Sequence, residues 1–98
     1  MHDVLVLGAG KIGALISGLL AESNDYRVQL ADSRLGAAAE VVNAHGLDHL
    51  QAFDLDASDR DALTKHIRTH KPEALISGLP YFCNVAVAEV ARAEGVHS

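Results

Sequence analysis

The first thirteen residues constrain this chain most. Val4-Leu5-Val6-Leu7 is an unbroken apolar run that leads straight into Gly8-Ala9-Gly10-Lys11-Ile12-Gly13. An apolar run with no polar alternation is the pattern of a strand covered on both faces. The glycines spell G-x-G-x-x-G. That string is weak evidence by itself and becomes specific when a strand precedes it, a helix follows it and an acid stands about 20 residues further on. All three conditions hold. Ile12, Leu15, Ile16, Leu19 and Leu20 recur at helical spacing, and Asp32 follows the next strand pattern, Arg27 to Ala31. In such a unit Gly8 makes the turn off the strand, Gly10 leaves the backbone open to a pyrophosphate, and Gly13 lets the helix lie close on the sheet. The helix N-terminus offers free N–H groups and a partial positive charge to phosphate.

The same alternation continues to the end of the chain. Asn24-Asp25 closes the first helix. Ser33 is placed to cap a second, with Leu35, Ala38, Ala39 and Val42 as its inner face and Gly46 at its end. Leu50 to Phe53 reads as the third strand. Ser58 with Asp61 fits an acidic capping box before Leu63, His66 and Ile67, and Lys71-Pro72 breaks that helix. Ala74 to Ile76 is the fourth strand, Pro80 sets the following turn, and a last helix runs from Asn84 to Glu94. Gly95 ends it, and Val96 starts a fifth strand. Strands alternating with helices over short connections imply an α/β fold with a parallel sheet and right-handed crossovers. The expected architecture is a Rossmann-type three-layer α/β/α domain of about four strands in the order 3-2-1-4. Its ligand crevice should lie between strands one and four.

Length and charge narrow the partners. Two mononucleotide halves need roughly 140–180 residues, so residues 1–98 are expected to be an incomplete domain with its catalytic and substrate-binding part elsewhere. The net charge of −5 argues against nucleic acid, but not against a dinucleotide held by backbone N–H groups. No run approaches the apolar length of a membrane helix. Cys83 is the single cysteine, which excludes an internal disulfide and, with no signal sequence, suggests the cytoplasm. His66 and His70 have metal-ligand spacing but lack a third ligand, so no metal site is expected. Cys83 reads as a small packed side chain. The fourth strand would be an open edge, prone to pair with a second copy of the chain.

Two groups of residues are placed for a dinucleotide. The phosphate side is Gly8, Gly10, Lys11, Ile12 and Gly13, with Lys11 either touching phosphate or facing solvent. The ribose side is Asp32, Ser33 and Arg34. The Asp32 carboxylate would accept from ribose hydroxyls and repel a 2′-phosphate, whereas Arg34 could pair with one. The cofactor is therefore NAD or NADP, with NAD favoured.

Three segments together resemble the N-terminal domain of the saccharopine dehydrogenase family, which includes saccharopine reductases and carboxynorspermidine dehydrogenases. They are Val4 to Gly13, Leu55-Asp56-Ala57-Ser58-Asp59, and above all Ile76-Ser77-Gly78-Leu79-Pro80-Tyr81-Phe82-Cys83-Asn84; Gly95-Val96-His97 also fits. The resemblance implies cofactor contacts from Ser77, Gly78, Leu79 and Pro80 beside the pyrophosphate and ribose, and places Asp56 near the adenine amine. Read from residues alone, Asp56 could equally be a cap-region acid, and Leu79-Pro80-Tyr81 a rigid turn. The family's activity implies hydride transfer between nicotinamide and the carbon of a C–N bond in an amino-acid-derived amine. Its catalytic residues would follow Ser98, so none is assigned here. Two other readings stay open at this level. One is a nucleotide-sensing regulatory domain resembling those of potassium transport systems, and the other is a folded but inactive fragment.

Overall fold

The computed structural model describes the backbone of residues 1–98 and every side chain except that of Tyr81. Strands and helices alternate as β1 (His2–Leu7), α1 (Lys11–Glu22), β2 (Tyr26–Asp32), α2 (Ala37–His45), β3 (Leu50–Asp54), α3 (Arg60–His70), β4 (Ala74–Ser77) and α4 (Tyr81–Ala93). The strands form one sheet in the order β3-β2-β1-β4. All three pairings are parallel, and the register sets Val4 between Val28 and Ala74, and Asp32 beside Asp54. This is the expected α/β architecture and strand order.

Side chains alternate across a strand, so β1 feeds two cores at once. Leu5 and Leu7 meet Leu63 and Ile67 of α3 and Val87 and Val90 of α4. Val4 and Val6 meet Ala21 of α1 and Ala37 and Ala38 of α2. All four β1 residues are buried, each contributing about 1.5–3 kcal/mol by transfer from water. The unbroken apolar run thus has the predicted cause, cover on both faces. Ion pairs from Arg60 to Glu89 and from Arg68 to Glu94 tie α3 to α4 across the surface.

Each of the four helices departs from the pattern reading. In α1 the buried residues are Gly13, Ser17, Gly18 and Ala21, while Ile12, Leu15 and Leu19 are exposed. Close approach selects small residues. A Cβ at Gly18 would stand 2.6 Å from the His45 ring, whose Nε2 lies 2.9 Å from the Ala14 carbonyl oxygen. In α2 the cap is Gly36, not Ser33, and Leu35 is almost fully exposed. The reason is that Asp54 accepts the Gly36 N–H at 2.9 Å and Asp32 accepts the Arg34 N–H at 2.8 Å, which stretches the turn past Ser33. In α3 the cap is Asp59, which accepts from the Ala62 N–H at 3.1 Å, because the Ser58 hydroxyl is turned back to Asp56 at 2.6 Å.

The last helix begins at Tyr81, directly after Pro80, rather than at Asn84. Proline's fixed φ suits a helix start. In place of the expected fifth strand there is one isolated bridge: His97 pairs with Ala74 in parallel, and its carbonyl accepts the Leu75 N–H at 2.7 Å. The amino half of the β4 edge is therefore paired.

Candidate functional site: a crevice at the carboxyl ends of the strands

The glycine loop is built as a turn and a platform. Gly8 has φ of +100°, a conformation that disfavours any side chain, and its N–H donates to the Ala31 carbonyl of β2 at 2.8 Å. Gly10 caps α1 with no side-chain hydrogen bond, and a Cβ there would meet nothing within 4 Å. The start of α1 thus has open space around its cap and no side chain bonded to its first-turn N–H groups. Gly13 is packed so tightly that a Cβ would collide with the Gly8 carbonyl. The backbone leaves room for a phosphate above Gly10 and none beneath Gly13, which is how a pyrophosphate cradle should be shaped.

Asp32 ties this loop to the next. One carboxylate oxygen accepts the Ala9 N–H at 2.8 Å, and the other accepts the Arg34 N–H at 2.8 Å. The Arg34 guanidinium lies 3.9 Å from the same carboxylate and is mostly exposed. Each carboxylate oxygen keeps a further lone pair, so Asp32 can hold the loop and still accept a hydroxyl.

A cavity of about 190 Å³ opens beside these loops. Of the expected site residues, Gly8, Asp32, Ser33, Asp56, Leu79 and Pro80 line it. Gly10, Lys11 and Ile12 are exposed and lie outside its lining, and Gly13 is buried. Gly78 is outside the lining, with its N–H donating to the Leu7 carbonyl at 2.8 Å. The Ser77 hydroxyl is directed at Asn84, at 2.5 Å. Arg34 stands outside the lining, beside Asp32. Asp56 accepts from both the N–H and the hydroxyl of Ser58, and these bonds hold its carboxyl below the usual carboxylate range. It is therefore anionic at neutral pH and available as an acceptor.

Pattern reading missed Cys83 as a lining residue. With α4 starting at Tyr81, Cys83 falls in the first turn and turns toward the crevice. The legible signal was Pro80 as a helix-start residue. A larger depression of about 510 Å³ lies at the opposite end of the sheet, among Arg27, His49, Gln51 and His70. It has no glycine turn or helix N-terminus of the kind that receives phosphate, and ligands of parallel sheets bind at the carboxyl ends of the strands. Among the described residues no three His, Cys, Asp or Glu side chains converge to hold a metal ion. Among the described residues no helix is long and apolar enough to cross a membrane.

The same arrangement of strands and helices recurs in solved structures. A saccharopine dehydrogenase (L-Glu forming) from Saccharomyces cerevisiae, in its apo form, superposes with a TM-score of 0.85 at 27% identity, over 98% of this chain and 20% of that one. The UDP-glucose-4-epimerase of Stenotrophomonas maltophila with bound NAD gives 0.76 at 18% identity, over 98% of this chain and 35% of that one. The NAD complex of the Thermus thermophilus UDP-glucose 4-epimerase gives 0.76 at 19%, over 96% and 35%. The two epimerases share the fold alone. This chain spans about a fifth of the length of the yeast enzyme. No curated protein sequence matches it. Residues 4–98 match the family described as the saccharopine dehydrogenase NADP binding domain. That match favours a module for a nicotinamide dinucleotide over a potassium-transport sensor, and the chain belongs to the saccharopine dehydrogenase NADP-binding domain family.

Proposed function

We propose that this chain holds the adenosine and pyrophosphate half of a nicotinamide dinucleotide for an oxidoreductase that acts on an amino-acid-derived amine. The observation that carries the reading is the paired geometry of Gly10 and Asp32. An open helix N-terminus and a carboxylate at the end of β2 are joined by the Ala9–Asp32 hydrogen bond. Gly8, Gly10, Lys11, Ile12 and Gly13 would receive the phosphates, and Asp32, Ser33 and Arg34 the adenosine ribose. Asp56 would face the adenine, with Ser77 to Pro80 forming the wall along the pyrophosphate and ribose. When bound, the nicotinamide supplies hydride transfer. The chain's own residues bind and orient, and the groups that would handle the substrate and its proton belong to another part of the enzyme.

Asp32 also bears on which dinucleotide is held. Its carboxylate would accept from the ribose hydroxyls, and a 2′-phosphate there would meet a negative charge. Arg34 is drawn toward Asp32, which offsets its pull on a phosphate. NAD is therefore the preferred cofactor. Calorimetric titration of the chain with NAD, NADP and ADP tests this. The expected order is NAD tighter than NADP, with ADP keeping much of the affinity. Tighter binding of NADP would transfer the ribose-side role to Arg34, and no binding of any of the three would remove the cofactor reading.

A further inference from the structure

The wall segment Ser77–Pro80 leaves β4 at the point where the strand ladder ends. A backbone segment that is partly buried past a ladder needs other hydrogen-bond partners. Leu79 finds both of its partners in side chains. Its N–H donates to the Ser77 hydroxyl at 3.2 Å, and its carbonyl accepts from the Asn84 amide nitrogen at 3.3 Å. The Ser77 hydroxyl in turn donates to the Asn84 amide oxygen at 2.5 Å. The three bonds close a ring through Ser77, Leu79 and Asn84, all of it partly buried. Asn84 supplies the acceptor and the donor of this ring from the two ends of one planar amide, whereas an ionised carboxylate would supply acceptors alone.

The ring lies behind the crevice rather than in it. Leu79 and Pro80 line the cavity, whereas Ser77 and Asn84 line a small depression on the other side, with Val87 and Ala88. Leu79 also packs on the core shared with α3 and α4. Its Cδ2 would lie 3.8 Å from a Cβ at Gly8, so the wall stands directly against the glycine turn. A shift of Leu79 would therefore change the width of the crevice at the first glycine.

We propose that Asn84 is a positioning residue. Through Ser77 and the backbone of Leu79, it holds the wall of the cofactor crevice in the binding geometry before any ligand arrives. The inference rests on the cofactor reading above and adds to it a residue that does not touch the ligand. Pre-forming the wall removes the ordering cost that binding would otherwise carry. The Ser77 hydroxyl, which donates to one partner and accepts from another, then serves the wall first.

Cys83 supplies a readout independent of cofactor, because its thiol lines the same cavity and is partly exposed. The experiment uses the whole chain as Asn84→Ala, Ser77→Ala and the double variant. For each, far-ultraviolet circular dichroism checks the fold. The rate of Cys83 alkylation by iodoacetamide is measured without ligand, and NAD and ADP affinities are measured by calorimetry. Either single variant should alkylate faster than the parent and lose about five- to tenfold in NAD affinity, the equivalent of one or two hydrogen bonds. ADP affinity should fall less. The double variant should be no worse than either single one, because both break the same ring.

Unchanged alkylation and NAD affinity in folded variants would overturn the proposal. So would additive losses, which would make Ser77 an independent contact. Faster alkylation in variants of a parent chain that binds neither nucleotide would overturn the cofactor reading, and with it the role given to Asn84, while showing that the ring itself holds the loop. If Asn84→Ala does not fold, Ser77→Ala carries the same test, since removing one hydroxyl leaves little void.

Discussion

At the scale of single residues, the glycines of the motif are not equivalent, and the structure separates their roles. Gly13 faces the Gly8 carbonyl at a distance no Cβ tolerates, so Gly13→Ala must push α1 away from the strand end. Overpacking of this kind costs about 1–3 kcal/mol, and it should appear in urea unfolding as a lower midpoint. Gly10 has an ordinary negative φ and open space around it. Gly10→Ala should unfold within about 0.5 kcal/mol of the parent, as surface substitutions do, while weakening dinucleotide binding, because its methyl group takes the space above the helix N-terminus. A Gly10→Ala chain that binds as well as the parent would place the phosphates elsewhere. These glycines were legible from spacing alone, since the turn, the approach and the packing are local demands. Asp54 was not legible. Its acceptor role toward the Gly36 N–H depends on β3 lying beside β2, which no local pattern encodes.

Elements differ in how firmly their own sequence specifies their packing. The predicted face of α3, Leu63, His66 and Ile67, is the buried face observed. His66 adds a pH dependence. Its Nε2 meets the buried Gln29 amide oxygen at 2.9 Å, Phe53 packs edge-on against it, and the His70 ring lies 4.5 Å away. Burial, with a smaller contribution from His70, lowers its pKa from 6.5 to about 4. The unfolded chain therefore binds a proton that the folded chain refuses, and stability rises with pH across that interval. The His66 contribution should be complete above pH 6.5 and be lost as pH falls toward about 4. Thermal melts from pH 7.5 to 4.5 should show a steeper fall for the parent than for His66→Gln. Equal slopes would mean that His66 protonates as freely in the folded state as in the unfolded one. In α1, by contrast, helical spacing does not separate Ile16 and Leu20, which pack partly on the core, from Ile12, Leu15 and Leu19, which are exposed, and the fully buried residues are small ones.

Over the whole molecule, that choice leaves a surface. Ile12, Leu15 and Leu19 are each more than half exposed on α1. Ile76 shares the sheet face of Ala74 on β4 and is 36% exposed. Beyond His97 the β4 edge has no ladder partner among the described residues. Apolar side chains and an open edge favour association, so sedimentation should show concentration-dependent self-association of the isolated chain. Leu15→Glu combined with Leu19→Glu should reduce it and leave the melting temperature nearly unchanged. A large fall in melting temperature would mean that these leucines are packed, and a parent that stays monomeric at high concentration would remove the association.

The order and kind of every element, the parallel sheet and the place of the glycine loop were determined by the sequence alone. Their signals are short-range: an apolar run, a helical repeat, glycines and prolines that permit or forbid particular backbone angles. What the tertiary structure decided were relations between segments distant in the chain. These include which side of α1 lies on the sheet, the caps Gly36 and Asp59 in place of Ser33 and Ser58 at helix starts, and the ring that joins Asn84 to Ser77 and Leu79. A hydrogen bond or a close approach is settled by distances in space. A residue's own neighbours in sequence state only what it can do, and the packed fold selects which of those possibilities is used.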